Sequence, residues 1–410
     1  MGLRISDCGR SRASPLLFPL NSAIRDLKLL YATSARLGGS GLDAVAAETV
    51  RVAHRAGVLR KALAFEDRQE AVPPGFVESL RWHPVRMLST LGSSYYYGAK
   101  KHALDRAAAD RLEEGGFNLF HGWSGECVRT LRVARKLGIP SVIEIPTWHR
   151  NKGKTKPARF TKSERERAAA SGWQGMKNRL LVTRQQMLEE YDLADLILVL
   201  SEKAEETFLA AGIGREKLFR HQRGVDVQRF TPAERPPEKF RVVFVGALIK
   251  RKGVHHLLEV WRRLALRDAE LVLVGSVHEE MRPYLERFGG EDVKLPGFVA
   301  RVEECYRAAT VHVFPSECEG SAKATYEASA CGLPQIATRE SGDIVLDGVN
   351  GLIIPPNDPD ALADALQRLH RDRAFCARLG AAGRARAVEH FTWEHFGLRL
   401  AEAWEAARRR

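Results

Sequence analysis

A chain of 410 residues with 64 Lys and Arg against 51 Asp and Glu carries a formal charge of +13 and an apolar fraction of 44%, which fits about two globular cores. No apolar run is long enough for a membrane span. The six cysteines, Cys8, Cys127, Cys305, Cys318, Cys331 and Cys376, have the spacing of neither a zinc cluster nor a disulfide framework, so a reduced, cytoplasmic setting is expected. The positive charge suits a phosphorylated ligand, nucleic acid or an anionic membrane. Nucleic acid is not expected, because no zinc-finger, RRM or helix-turn-helix pattern accompanies the charge.

Residues 1–26 have no clear period and no signal-peptide layout, and are expected to form a poorly ordered extension. The first strand is predicted over Leu27–Ala32, followed by the Gly-rich turn Arg36–Gly41 and a helix over Leu42–Ala56. Strand, Gly-rich turn and helix make either a backbone cradle for an anion, with Gly39 and Gly41 in it, or a tight turn only. Val72–Arg81 reads as a loop with a short element. Tyr95, Tyr96 and Tyr97 precede a basic helix over Lys100–Glu114 and either pack or contact an acceptor or membrane. Strand Phe117–His121, helix Val128–Leu137 and strand Ser141–Ile145 form a βαβ unit. His149 and His121 each close a strand, where α/β sheets place ligands, and are rival candidates for a site histidine. Residues 150–184 hold eleven Lys or Arg against two Glu, a local +9. This segment is either a solvated face or a reader of acceptor phosphates or acidic headgroups. Helix Gln186–Ala194, strand Leu196–Leu200, helix Ser201–Ala211 and a linker over Pro232–Pro237 complete the first half.

The second half opens with strand Arg241–Val245, the loop Gly246–Lys252 and helix Val254–Leu264. Strands follow over Leu271–Val274 and Val293–Leu295, then helix Glu303–Arg307 and strand Ala309–Phe314. The stretch Phe314–Pro334 is the most distinctive of the chain. It carries Glu319 in a turn, Gly320 behind it, and Glu327 on a helix that ends near Gly332. Eight residues is about 80° around a helix, so the two carboxylates need not point the same way. Strand Leu333–Ala337, the polar turn Arg339–Gly342, two tight turns at Asp347–Gly348 and Asn350–Gly351, and helices from Asp360 onward finish the chain.

The pattern Glu-x7-Glu, with Gly320 after the first Glu and Ala330, Gly332 and Pro334 after the second, resembles the signature of the retaining family 4 glycosyltransferases. Gly224-Val225-Asp226 with Phe230, and Lys252-Gly253, extend the likeness over roughly Leu27 to the C-terminus. The resemblance implies the GT-B fold: two facing Rossmann-like domains, each with a mostly parallel sheet flanked by helices. It implies an acceptor-side domain over 27–230, a nucleotide-sugar domain over 231–390, and a helix over 391–410 that crosses back to the first. The implied reaction moves a hexose-type sugar, with retention, from a nucleoside diphosphate to a hydroxyl of a glycan, lipid-linked or small-molecule acceptor. No cofactor and no metal are expected, since no Asp-x-Asp stands beside the donor loops.

In this reading Glu327 accepts from the ribose hydroxyls and Glu319 faces the sugar. Lys252 holds the diphosphate. The backbone of Gly320, Ser321 and Ala322, the turn of Glu340 and Gly342, and the loop of Gly39 and Gly41 lie against the donor phosphates. His149 stands beside the sugar. Two positions depart from the pattern: Ala247 stands where Arg is expected, with Lys250 or Arg251 as the substitute cation, and Ala322 stands where a second Gly is expected. A phosphorylated or lipid-linked acceptor and peripheral contact with the inner face of a membrane are the expected partners. A GT-B epimerase and a non-catalytic nucleotide-binding subunit are the alternatives.

Overall fold

The computed structural model describes residues 24–39, 41–80, 83–91, 93–151, 162–235 and 237–410. Most of the expected N-terminal extension, Ser40 of the Gly-rich turn and residues 152–161 of the basic segment lie outside them. Two sheets dominate. The first comprises β1 (Leu29–Leu37), β2 (Leu59–Asp67), β3 (Val77–Ser79), β4 (Leu119–Trp123), β5 (Ser141–Glu144), β6 (Leu196–Val199) and β7 (Leu218–Arg220), in the order β3-β2-β1-β4-β5-β6-β7. The second comprises β8 (Phe240–Val245), β9 (Ala269–Val274), β10 (Val293–Gly297), β11 (Val311–Phe314), β12 (Gln335–Ala337) and β13 (Gly351–Ile353), in the order β10-β9-β8-β11-β12-β13.

All neighbouring strands pair in parallel. Helices cover both faces, which is why central strands such as β6, Leu-Ile-Leu-Val, are buried throughout rather than alternating. This is the two-domain Rossmann-like architecture that the motifs led us to expect. In each sheet the strand order reverses once, between β1 and β4 and between β8 and β11. Such switch points open a crevice at the carboxyl ends of the strands.

A strand and a helix of the first half differ from the sequence reading. Strand β2 was not anticipated: Arg60 and Lys61 near its start break the apolar pattern, although Ala62–Phe65 are buried. The basic helix starts earlier, at Ser93, and takes in the three tyrosines. The last helix, Trp393–Arg408, packs on the first sheet: Phe396, Leu400, Ala403, Trp404 and Ala407 join one core with Leu29, Tyr31, Val142 and Leu198. Trp404 Nε1 donates to His121 Nδ1 at 3.3 Å. His121 is fully buried there, and burial pushes its imidazole down to about 3. A neutral ring under a tryptophan is a core group, and of the two rival histidines only His149 remains near a loop.

Candidate functional site

The site is built where the loop after β8 meets the loop after β11. Gly253 makes that approach possible. It has φ +72°, and a Cβ there would lie 2.2 Å from the Pro315 carbonyl oxygen. The two loops are then stitched together: the Arg251 carbonyl accepts from Glu317 N–H at 2.9 Å and from the Ser316 hydroxyl at 3.2 Å. The consequence is a three-residue charge cluster. Arg251 Nη1 lies 2.9 Å and Lys252 Nζ 3.8 Å from the same Glu319 oxygen. Arg251 also donates to the Cys318 carbonyl. The Glu319 and Lys252 side chains are only 15% and 18% exposed. Burial pushes the Lys252 ammonium below its ordinary range, and Glu319 works against that shift. Lys252 Nζ lies over the Phe314 ring, 5.3 Å from its centroid.

Of the two cations proposed to replace the arginine absent at Ala247, Arg251 is in the cluster. Lys250 instead lies over the Tyr284 ring, 4.9 Å from its centroid.

The loop after β12 closes the other side. Glu319 N–H donates to the Glu340 carbonyl at 3.0 Å and Ala322 N–H to the Ser341 carbonyl at 2.8 Å. Thr338 Oγ1 reaches the Ser316 carbonyl at 2.6 Å and Ser341 Oγ the Phe314 carbonyl at 2.9 Å. Gly342, with φ +120°, sits so close that a Cβ would lie 2.6 Å from Ser321 Oγ. Ser321 Oγ itself pairs with the Tyr326 hydroxyl at 2.8 Å. The Ala322 amide, expected to face an anion, is therefore spent within the protein. Among the described residues the Gly320 and Ser321 amides have no acceptor.

Glu327 is a separate station. It sits on the helix Lys323–Ala330, 6% exposed. One oxygen faces Lys323 Nζ at 2.9 Å and the other accepts from the Tyr306 hydroxyl at 3.1 Å. An ionised carboxylate has about four acceptor positions, so two remain for hydroxyls of a ligand. Among the described residues Glu319 and Glu327 share no partner; Glu319 lies in the turn before the helix, so no helical angle relates the two. Tyr306 and Lys323 carried no sequence signal of a role here.

The two halves of the molecule touch at this site. A Cβ on Gly320 would lie 2.3 Å from the Pro146 carbonyl oxygen and 3.1 Å from a Leu200 methyl, both just past first-sheet strands. Beside it, Asp343 accepts from Glu202 N–H with both oxygens, at 3.1 and 3.0 Å. Arg339 reaches Glu202 and Glu206 at 3.4 and 3.3 Å. A cavity of about 470 Å³ lined by Arg220, Arg339, Asp343 and Arg386 lies between these halves.

His149 lies three residues beyond Pro146, but its ring is packed between Tyr191 and Phe208, with centroids at 5.0 and 4.9 Å. Its Nδ1 accepts from Asn151 N–H at 3.1 Å. Burial, with Arg184 contributing, pushes its imidazole down to about 4. Gly39 and Gly41 stand past β1. Gly39 N–H donates to the Arg36 carbonyl at 3.0 Å, and Gly41, with φ +62°, precedes the helix Leu42–Arg55. Among the described residues no hydrogen bond joins either glycine to the Glu319 cluster. Among the described residues no group of three His, Cys, Asp or Glu is placed to hold a metal ion, and no helix is long and apolar enough to cross a membrane.

Residues 239–372, which contain the Glu319 cluster, match the model of the family described as glycosyl transferases group 1. Beyond that match, the chain is 26% identical to a D-inositol 3-phosphate glycosyltransferase of Thermobifida fusca, over 80% of this chain and 78% of that one. It is 30% identical to a GDP-mannose-dependent alpha-(1-6)-phosphatidylinositol monomannoside mannosyltransferase of Mycolicibacterium smegmatis, over 51% of this chain and 62% of that one. In fold, the chain resembles sucrose-phosphate synthase from Thermosynechococcus elongatus, with TM-score 0.67 and 20% identity over 92% of this chain and 98% of that one. Anabaena HepE in complex with UDP-glucose aligns with TM-score 0.65 and 19% identity over the same shares. These structures establish the GT-B fold for the chain.

Proposed function

We propose that this protein transfers a hexose-type sugar from a nucleoside diphosphate sugar to a hydroxyl acceptor, with retention at the anomeric carbon and without a metal. The observation that carries the reading is the Glu319–Arg251–Lys252 cluster, seated at a switch point and capped by the first sheet at Gly320. Departure of a diphosphate builds negative charge on the leaving oxygen and positive charge on the sugar. Lys252 and Arg251 oppose the first and Glu319 the second, in a site that is mostly shielded from water. The free amides of Gly320 and Ser321 add backbone donors beside the helix N-terminus. Glu327 offers its two remaining acceptor positions to the ribose diol. Gly39 and Gly41 approach the phosphates from the first sheet, and Glu340 and Gly342 from the loop after β12.

In a front-face reaction the departing phosphate oxygen takes the acceptor proton, so no side-chain nucleophile is required. The packing of its ring supports a positioning role for His149: a neutral imidazole that fixes the loop after β5. The names of the relatives, one acting on D-inositol 3-phosphate and one on a phosphatidylinositol mannoside, support a phosphorylated or lipid-linked acceptor here. The +9 segment at 150–184 supports peripheral contact with an anionic membrane face.

A thermal-shift screen of UDP-, GDP- and ADP-sugars tests the donor half of the proposal. At a hundredfold excess over Kd the right donor stabilises by about 2.7 kcal/mol, and absence of a shift with all of them would sink it. With the donor known, Glu327→Ala is expected to weaken nucleoside diphosphate binding about tenfold or more, with the fold retained. Loss of charged hydrogen bonds is worth roughly 1.5–3 kcal/mol. Unchanged affinity by calorimetry would remove Glu327 from the ribose site.

A further inference from the structure

At the carboxyl ends of β1 and β2, three guanidiniums gather around one carboxylate, with an ammonium beside them. Arg36 Nε, Arg68 Nη2 and Arg86 Nη2 reach Glu66 at 3.1, 3.0 and 2.8 Å. Lys100 stands beside them with Nζ 4.1 Å above the Phe65 ring centroid, flanked by Tyr96 and Tyr97. Among the described residues Lys100 has no carboxylate within ion-pair distance. The nearby Glu126 is spent on Ser34, whose N–H and hydroxyl it accepts at 2.6 and 2.5 Å, and on Lys101 at 3.4 Å.

The cluster therefore carries four positive charges against one negative, a net +3. Arg36, Arg68 and Arg86 are 50%, 63% and 39% exposed, so the forks open to solvent rather than into the core. Arg86 Nε, in contrast, is buried and has no partner among the described residues.

A surface that needed only to hold Glu66 would use one guanidinium. Three on one carboxylate repel each other, and a half-buried ammonium beside them adds to that repulsion. Burial pushes the Lys100 ammonium below its ordinary range, with Arg86 and Arg36 contributing and Glu66 only partly opposing. Glu66 orients the three forks, and the charge deficit remains for a ligand. Planar guanidinium forks match the oxygens of a phosphate, and a phosphate monoester supplies close to two negative charges at neutral pH.

All strands of the first sheet run parallel, so this cluster lies on the same edge as Pro146 and Leu200, which meet Gly320 of the donor half. We propose that Arg36, Arg68, Arg86 and Lys100 form the subsite for a phosphate group of the acceptor. The subsite holds the acceptor by its phosphate while a hydroxyl elsewhere on it points at the donor sugar. This deepens the transferase reading and rests on it for the word acceptor. Binding of the phosphate itself is measured independently.

The full chain is titrated calorimetrically at low salt with inorganic phosphate and with glycerol 3-phosphate. Arg68→Gln, which changes a largely exposed side chain, and the double variant Arg68→Gln/Lys100→Gln are compared with the parent. The expected result is saturable binding that weakens at least tenfold in the double variant and less in the single one. Melting temperature and nucleoside diphosphate affinity should stay unchanged. Flotation with phosphatidic acid vesicles distinguishes the source. If vesicles rather than free esters bind, and the variants abolish it, the phosphate belongs to a lipid headgroup. Equal binding of both probes by parent and variants overturns the proposal. So does displacement of phosphate by one equivalent of nucleoside diphosphate, which would make the ion a tenant of the donor site. Failure of nucleoside diphosphates to bind while phosphate still does would sink the transferase reading and leave this subsite standing.

Discussion

Glu319→Gln is expected to lower turnover by about two to three orders of magnitude while nucleoside diphosphate affinity changes less than threefold. The substitution keeps the shape of the side chain and lets it still accept from Arg251, which holds the native carboxylate at 2.9 Å. What it removes is the negative charge that the proposed reaction sets beside the sugar. Loss of one preorganised charge-stabilising group costs roughly 10²–10³ in kcat, or about 2.7–4 kcal/mol of barrier. Binding should be spared, and even strengthened slightly, because Arg251 and Lys252 are released from a competing anion 2.9 and 3.8 Å away. Stability should change little. The Arg251 partner is 44% exposed, and pairs of that kind contribute at most about 1 kcal/mol. Two measurements decide the matter: kcat with the donor found in the screen, and calorimetric Kd for the nucleoside diphosphate. Turnover like that of the parent would place Glu319 outside the chemistry. A parallel collapse of kcat and affinity would make it a binding group instead.

What the sequence disclosed and what it hid follow from the range of the interactions. The strand–turn–helix around Glu319 is local: an apolar run, a turn with Gly320, and a helix closed by Gly332 can be read in one window. The Arg251 pairing is not local. It depends on Gly253 letting the loop after β8 settle on Pro315, sixty-two residues on. The sequence therefore offered Lys250 and Arg251 as equals, and only the packing of Lys250 on Tyr284 separates them. The position of His149 past a strand indicated a ligand edge. It carried no hint that Tyr191 and Phe208 would enclose the ring.

Strand β2 was concealed by its own charges, yet it delivers Glu66 and, just past its end, Arg68 to the first-sheet cluster. That cluster draws on four separated parts of the chain, so no spacing rule announces it. The glycines behaved differently from one another. Gly253 and Gly342 are required by positive φ and contact together, whereas nothing lies within 4 Å of a Cβ built on Gly41. A Gly-rich turn in sequence thus says less about a cradle than the two backbones that must pass each other.

Acidification should destabilise this protein before its exposed carboxylates are titrated. Four buried histidines, His121, His149, His221 and His312, stay neutral in the fold: burial pushes them down to about 3, about 4, well below the ordinary value, and about 4 respectively. In the unfolded chain each titrates near 6.5. A histidine whose folded pKa is depressed contributes stability that is fully present above the unfolded pKa. That stability is lost as pH falls from about 6.5 towards the folded value. Each such group costs about 1.4 kcal/mol per pH unit across that window.

Buried carboxylates work in the opposite sense. Burial raises Glu190 to about 7 against the backbone donors of Gly125 and Cys127, so it stabilises as pH falls from about 7 to its unfolded value. Glu144 and Asp105 are raised in the same direction. The net loss is then about 2–4 kcal/mol per pH unit between pH 6 and 5. That is enough to consume a typical stability of about 5–15 kcal/mol within a few units. Urea unfolding at pH 7, 6 and 5 should show the midpoint falling steeply.

His221 offers the internal control. Its two ring nitrogens have no partner among the described residues, and it packs on Phe396 with centroids 4.5 Å apart. His221→Leu should remove one proton from the linkage and flatten the slope by about 1.4 kcal/mol per pH unit. A midpoint independent of pH between 7 and 5, or a slope the variant leaves untouched, would mean that these rings reach water or a proton donor in solution and are not held neutral by burial.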